Sequence, residues 1–117
     1  MSVSIFDSFL TSTEMIAAFD DAAIVQAMFR FEAALARAQA EEGLIPPAAA
    51  SAIAGACHAP LYDIPALIHA GRRAGSLAIP LVKELTKTVA LYDEGAARHV
   101  HWGSTSQDVI DTAMVLV

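Results

Sequence analysis

This sequence is short of cysteine, cationic side chains and aromatic rings, and each shortage removes a class of protein. The single cysteine, Cys57, cannot form an internal disulfide, so no disulfide framework holds the fold. One unpaired thiol fits a reducing compartment. Seven lysines and arginines face thirteen aspartates and glutamates, for a formal net charge of −6. A nucleic-acid binder normally carries a basic stripe, and none is present. The charge balance still admits a small anionic ligand, because the local field at a site counts for more than the net charge. No apolar run approaches the roughly 20 residues of a membrane helix. The stretch from Met1 to Leu10 lacks a basic start and is interrupted by Asp7, so it does not read as a secretory signal. Together these absences predict a soluble, cytoplasmic protein with no membrane or nucleic-acid partner.

What is abundant is alanine. It supplies 25 of the 117 residues, within a hydrophobic content of 56%. Alanine favours helix and lets helices approach closely, but it fills little core volume. That combination predicts an all-α chain whose helices lie against other helices, from this chain or from others. The length allows one domain, residues 1–117.

Helix signals follow in order. Thr11 and Glu14 form a capping-box pair for a short helix near residues 13–19. Asp20 or Asp21 caps a long helix with Ile24, Met28, Phe31, Leu35 and Ala38 on one face, stopped by Gly43. Pro46 and Pro47 open an alanine-rich helix to about Ala56. A loop over His58–Tyr62 leads to Asp63, which caps a short helix to about Ala70. Gly71 and Gly75 bracket a predicted break at Arg72-Arg73. The next helix runs from about Ile79 to Tyr92 and ends at Asp93-Glu94-Gly95. Its face carries Leu81, Leu85, Thr88 or Val89, and Tyr92. Arg98–His101 is expected to be extended, and a last helix starts near Ser106. The end of the chain, Met114-Val115-Leu116-Val117, is apolar and has no C-cap, which predicts the N-terminal part of a longer protein.

The densest polar signal is His101-Trp102-Gly103-Ser104-Thr105-Ser106-Gln107-Asp108-Val109-Ile110-Asp111-Thr112. Thr105 or Ser106 can act as the N-cap of the last helix, with Asp108 in its first turn. Gly103 lets the backbone come close to a ligand. The free N–H groups and the positive dipole end of a helix start suit a carboxylate.

The pattern His-x-Gly-x-Thr-Ser-x-Asp-x-x-Asp-Thr resembles the first signature segment of the fumarase/aspartase superfamily. Two further stretches agree with it. Phe31–Ala38 followed by Glu42-Gly43-Leu44-Ile45-Pro46 resembles the family's first long helix and exit loop. Ala74–Leu85 resembles the cycloisomerase branch, which acts on 3-carboxy-cis,cis-muconate. The likeness covers the chain from about Phe6 to Val117. It implies the N-terminal helical region of the family's fold, ahead of the long central bundle. It also implies a homotetramer, a small tricarboxylate substrate and no cofactor.

The resemblance implies that Thr105 and Ser106 bind a substrate carboxylate. His101 matches the signature histidine and can donate to a carboxylate or, once protonated, pair with it. Ser104 and the Gln107 amide join this group. His99 would share a face with His101 in an extended segment, which raises a metal reading. With no cysteine or carboxylate cluster nearby, no metal site is expected. Asp108 and Asp111 read as architecture rather than as a proton-transfer pair. Arg72 and Arg73 can grip a carboxylate in bidentate fashion, or form an ordinary solvated turn. Ser76-Leu77 stands where adenylosuccinate lyases place His-Asp, a departure that favours the cycloisomerase branch and makes Ser76 a further binding candidate. Cys57, His58 and His69 have no partner constellation.

The chemistry implied is intramolecular addition of a carboxylate across a double bond, with a proton delivered alpha to another carboxylate. It needs a pocket that stabilises negative charge and one proton donor. The helix start serves the first need. No residue stands out for the second, and His101 is the one kept as a catalytic candidate. The family's active sites combine three signature segments from different subunits, of which one is present here, so the isolated chain is expected to be inactive. Two alternatives stay open: another superfamily lyase such as adenylosuccinate lyase, and a non-catalytic helical interaction module.

Overall fold

The computed structural model describes residues 21–116, and every described element is helical. The helix expected near residues 13–19 lies outside the described residues. Helix α1 is Asp21–Glu41, α2 is Pro47–Ala56, α3 is Ile64–Ala74, α4 is Ala78–Tyr92, α5 is Glu94–Ala97 and α6 is Ser106–Leu116. A 3-10 turn at Ala59–Leu61 interrupts the loop between α2 and α3. The all-α expectation holds, and no helix is long and apolar enough among the described residues to cross a membrane.

Helix α1 is the spine. It packs mainly against α2 on one side and α6 on another, while α4 gathers α2, α3 and α5. Small residues at Ala33 and Ala36 of α1 and at Ala49 and Ala50 of α2 are buried, which lets these helices lie close. The bulk comes from Val25, Met28 and Phe29 of α1, Ile53 of α2, Leu81, Leu85 and Val89 of α4, and Val109 of α6, all essentially inaccessible. Val109 and Ala113 are the buried residues of α6. Burying a valine of this kind is worth roughly 1.5–3 kcal/mol. Tyr62 closes one end of the core, its ring centroid 4.7 Å from that of Phe29 and its hydroxyl donating to the Ala56 carbonyl at 2.8 Å.

Three expectations need correction. The buried stripe of α1 is not the one the apolar spacing predicts: Phe31 and Leu35 are half-buried and Ala38 is exposed, whereas Glu32 and Gln39 are buried. A count of apolar side chains cannot see a stripe that includes two polar ones. Helix α3 does not break at Arg72-Arg73 but continues to Ala74, and the left-handed Gly75 (φ 76°) ends it. Gly71 lies within that helix and packs against Leu77, where a glycine is needed: a Cβ there would sit 3.1 Å from the Leu77 Cα. Tyr92 is exposed rather than on the packed face of α4, since the helix ends there and Asp93 turns the chain.

Local caps explain the remaining boundaries. Asp63 accepts from the Ala66 N–H at 3.1 Å and starts α3. Asp93 ends α4 and then accepts from the Ala96 N–H at 3.2 Å, which starts α5. Gln26 fastens the α2 exit, donating to the Cys57 carbonyl at 3.2 Å and accepting from the Ala59 N–H at 2.7 Å.

Candidate functional site

The signature segment is a chain of turns, not the extended strand expected over Arg98–His101. The His99 N–H donates to the Ala96 carbonyl at 3.0 Å, Trp102 to His99 at 3.4 Å and Ser104 to His101 at 3.2 Å. Tight turns from α5 into α6 need left-handed residues, and the loop has two, His101 (φ 59°) and Gly103 (φ 75°). Glycine meets that demand freely, whereas histidine does so at a cost. A Cβ at Gly103 would meet nothing within 4 Å, so a ligand can come close to this stretch of backbone. With the backbone turned, His99 and His101 do not share a strand face. Among the described residues no cluster of metal-ligating side chains forms.

The cost at His101 is met from α1. Its Nδ1 lies 2.5 Å from the Glu32 Oε1, across 69 residues of sequence. The Glu32 side chain is fully buried, and the His101 side chain keeps 16% of its surface exposed. Two turns further along α1, the Gln39 amide donates to the Trp102 carbonyl at 2.6 Å. The second oxygen of Glu32 and the amide oxygen of Gln39 are buried and accept no hydrogen bond. Sequence reasoning missed both residues. The available signal was a pair of polar side chains seven apart on the helix stripe that otherwise faces the core.

Beyond His101 the chain enters α6 through a reciprocal cap. The Asp108 N–H donates to Thr105 Oγ1 at 3.2 Å, and the Thr105 N–H donates to Asp108 Oδ2 at 3.0 Å. The Ser104 hydroxyl adds a bond to the same carboxylate oxygen at 3.3 Å. The Thr105 backbone N–H, then its hydroxyl, hold the Asp108 carboxyl below the usual aspartate range. Thr105 is therefore the N-cap and Ser106 the first helical residue. The N–H groups of Ser106 and Gln107 precede the first intrahelical bond, from Val109 to the Thr105 carbonyl, and remain available to an anion. The Gln107 amide donates to Asp111 Oδ1 at 2.6 Å, which draws it along the exposed side of the helix and away from the loop.

The structure thus brings together His101, Ser104, Thr105 and Ser106 at one helix start. It leaves Arg72, Arg73 and Ser76 in another group. Arg72 and Arg73 stand exposed in the last turn of α3, where cations complement the helix dipole. A shallow depression beside them is lined by Ile68, Gly71, Arg72, Gly75, Ser76 and Leu77 and includes no signature residue. The Ser76 hydroxyl accepts from the Ala78 N–H at 3.3 Å and so serves the start of α4.

Cys57 is buried, and that burial, with the field of Glu32 added, pushes its thiol up to about 12 against the opposing pull of Arg37. A thiol held protonated is an inert packing group rather than a nucleophile. His58 and His69 are exposed.

A family model described as lyase matches residues 9–117. The 3-carboxy-cis,cis-muconate cycloisomerase of Bradyrhizobium diazoefficiens is 59% identical over 107 residues, which are 92% of this chain and 24% of that protein. A nitrosuccinate lyase of Streptomyces davaonensis is 47% identical over 105 residues, 90% of this chain and 22% of that protein. The crystal structure of the 3-carboxy-cis,cis-muconate lactonizing enzyme from Pseudomonas putida superposes with a TM-score of 0.89 at 49% identity, over 96% of this chain and 25% of that one. The chain spans about a quarter of the length of the relatives it matches. It belongs to the lyase family of the fumarase/aspartase superfamily.

Proposed function

We propose that this chain supplies one carboxylate-binding corner of an enzyme that converts 3-carboxy-cis,cis-muconate to carboxymuconolactone in aromatic-acid catabolism. The observation that carries the reading is the helix start at Ser106. There the N–H groups of Ser106 and Gln107, the Ser106 hydroxyl and the imidazole of His101 border one loop that buried α1 side chains hold in shape. Such a corner stabilises the negative charge that grows on a carboxylate as the neighbouring carbon gains or loses a proton. Ser104 and Thr105 shape it through their bonds to and from Asp108. In the whole enzyme the substrate carboxylate adds within the molecule to form the lactone C–O bond, and a proton is delivered alpha to a second carboxylate. Arg72, Arg73 and Ser76 stand apart from this corner, beside a depression that includes no signature residue. The whole protein is a cytoplasmic homotetramer that uses no cofactor and no metal.

A second reading rests on a specific observation. The nitrosuccinate lyase, at 47% identity, falls just below the 48% of a Pseudomonas putida cycloisomerase. The same corner then serves a β-elimination, in which a carbanion beside a carboxylate forms and the leaving group departs. Substrate profiling separates the two. The 117-residue chain alone is expected to leave the diene absorbance of 3-carboxy-cis,cis-muconate unchanged. Turnover by this chain alone would mean that the site needs no further segment. In a longer protein containing this chain, consumption of a substituted succinate but not of the muconate would select the lyase reading.

A further inference from the structure

We propose that Glu32 is a positioning residue: its buried carboxylate accepts the Nδ1 proton of His101, fixes the tautomer of that ring and leaves Nε2 as the nitrogen offered to a ligand. The proposal deepens the functional reading above and rests on it for the class of ligand, an organic acid.

Four observations converge. The Nδ1–Oε1 contact of 2.5 Å lies well inside hydrogen-bond distance and joins residues 69 apart in sequence. Glu32 is fully buried in a stripe where its neighbours are Phe29, Ala33 and Ala36, so an apolar side chain would suit the packing better. Its other oxygen has no partner, so the link to His101 is the hydrogen bond on which its burial depends. His101 is a non-glycine residue held left-handed, and α1 tethers the loop twice, at the ring through Glu32 and at the Trp102 carbonyl through Gln39.

The chemistry follows from the donor count of imidazole. A neutral ring whose Nδ1–H is donated to a carboxylate has a bare Nε2, which accepts a proton. If that proton comes from solvent as an anionic ligand arrives, the ring becomes an imidazolium flanked by two carboxylates, Glu32 behind it and the ligand in front. The partial exposure of His101 and the complete burial of Glu32 set the order in which they are met: ligand, ring, carboxylate. The same relay orients metal-bound histidines through a second carboxylate. Here it would orient one toward an organic acid.

The test is the nitrogen-15 spectrum of the 117-residue chain labelled at histidine, recorded under mildly alkaline conditions without ligand. The His101 signals are identified by their loss in His101→Gln. The expected result is a protonated Nδ1 and a bare Nε2. In Glu32→Leu the ring should revert to the Nε2–H form, the ordinary preference of a free histidine, while far-UV circular dichroism remains helical. A wild-type His101 with a bare Nδ1 overturns the proposal, as does a folded Glu32→Leu chain with an unchanged His101 pattern. If the leucine variant does not fold, the wild-type spectrum still decides. Adding 3-carboxy-cis,cis-muconate to a histidine-labelled longer protein of this family that contains the chain then tests the ligand: movement of the Nε2 signal toward the protonated range supports it. A Nδ1–H ring whose Nε2 ignores the muconate overturns the organic-acid reading and leaves the role of Glu32 in fixing the ring intact.

Discussion

Thr105 and Asp108 cap one another across the first turn of α6, each giving a backbone N–H to the other's side chain at 3.0 and 3.2 Å. The exchange satisfies two of the unpaired donors of the helix start and leaves those of Ser106 and Gln107 pointing out. It also explains why a carboxylate sits so near a proposed anion site. Asp108 is tied to Thr105 and Ser104, and its charge stabilises the helix end that presents the other donors.

The cap makes α6 sensitive to acid. The Asp108 carboxyl is held below its usual 3.8 mainly by the Thr105 N–H. A depressed folded pKa means that its contribution is fully present above the unfolded value and is lost as pH falls through the folded one. Amide exchange at Thr105 and Asp108 should therefore accelerate as pH falls below the usual aspartate range, beyond the intrinsic pH trend. In Asp108→Ala that extra acid dependence should disappear. If it persists, Asp108 is not the group responsible.

Two helical glycines should respond to alanine in opposite senses. Gly55 in α2 has open space where a Cβ would go, so Gly55→Ala should gain up to about 1 kcal/mol from helix propensity. Gly71 in α3 faces the Leu77 backbone, with its Cα at 3.1 Å and its Cδ1 at 3.3 Å from the added carbon. Overpacking of that kind costs about 1–3 kcal/mol, which outweighs the propensity gain. Urea midpoints should move up for the first variant and down for the second. A rise for Gly71→Ala would mean that α3 and α4 separate easily.

The Cys57 thiol, pushed up to about 12 from 9.0 chiefly by burial, should resist alkylation. Only the thiolate reacts, and a shift of this size leaves at least about 100-fold less of it at mildly alkaline pH. The native chain should accordingly react with a thiol reagent at least about 100-fold more slowly than the chain in denaturant. The linkage runs opposite to that of Asp108. A raised thiol pKa contributes stability that is complete below 9.0 and declines as pH climbs through 12. Rapid native labelling would place Cys57 on an accessible surface.

Much of this arrangement was legible from local signals, because those signals act locally. Asp63 as the cap of α3, Pro47 at the start of α2 and a last helix starting at Thr105 or Ser106 with Asp108 in its first turn each depend on neighbours within four residues. What stayed hidden depends on distant partners. Gly71 reads as a helix breaker until Leu77 is seen packed on it. Glu32 and Gln39 fall outside any apolar stripe, and their place appears once the loop that needs them returns 69 and 63 residues later. The turns at Arg98–His101 likewise follow from that tether, since an extended strand would not bring His101 Nδ1 back to α1.

Thr105 and Ser106 are adjacent hydroxyls whose jobs the structure separates, and substitution should separate them too. The Thr105 hydroxyl accepts the Asp108 N–H, so Thr105→Ala should cost about 1 kcal/mol of stability, the usual loss for an N-cap. No hydrogen bond engages the Ser106 hydroxyl among the described residues, and the side chain is half-exposed. Ser106→Ala should therefore change stability by less than about 0.5 kcal/mol. In a longer protein of this family that contains the chain, the same Ser106→Ala change should raise KM for the acid substrate by about 10- to 100-fold, the loss of one hydrogen bond to a charged group. Thermal melts of the two variants, set beside their KM values, decide the matter. A Ser106→Ala protein with wild-type KM would remove its hydroxyl from the anion corner, and one that melts early would make it a structural group like its neighbour.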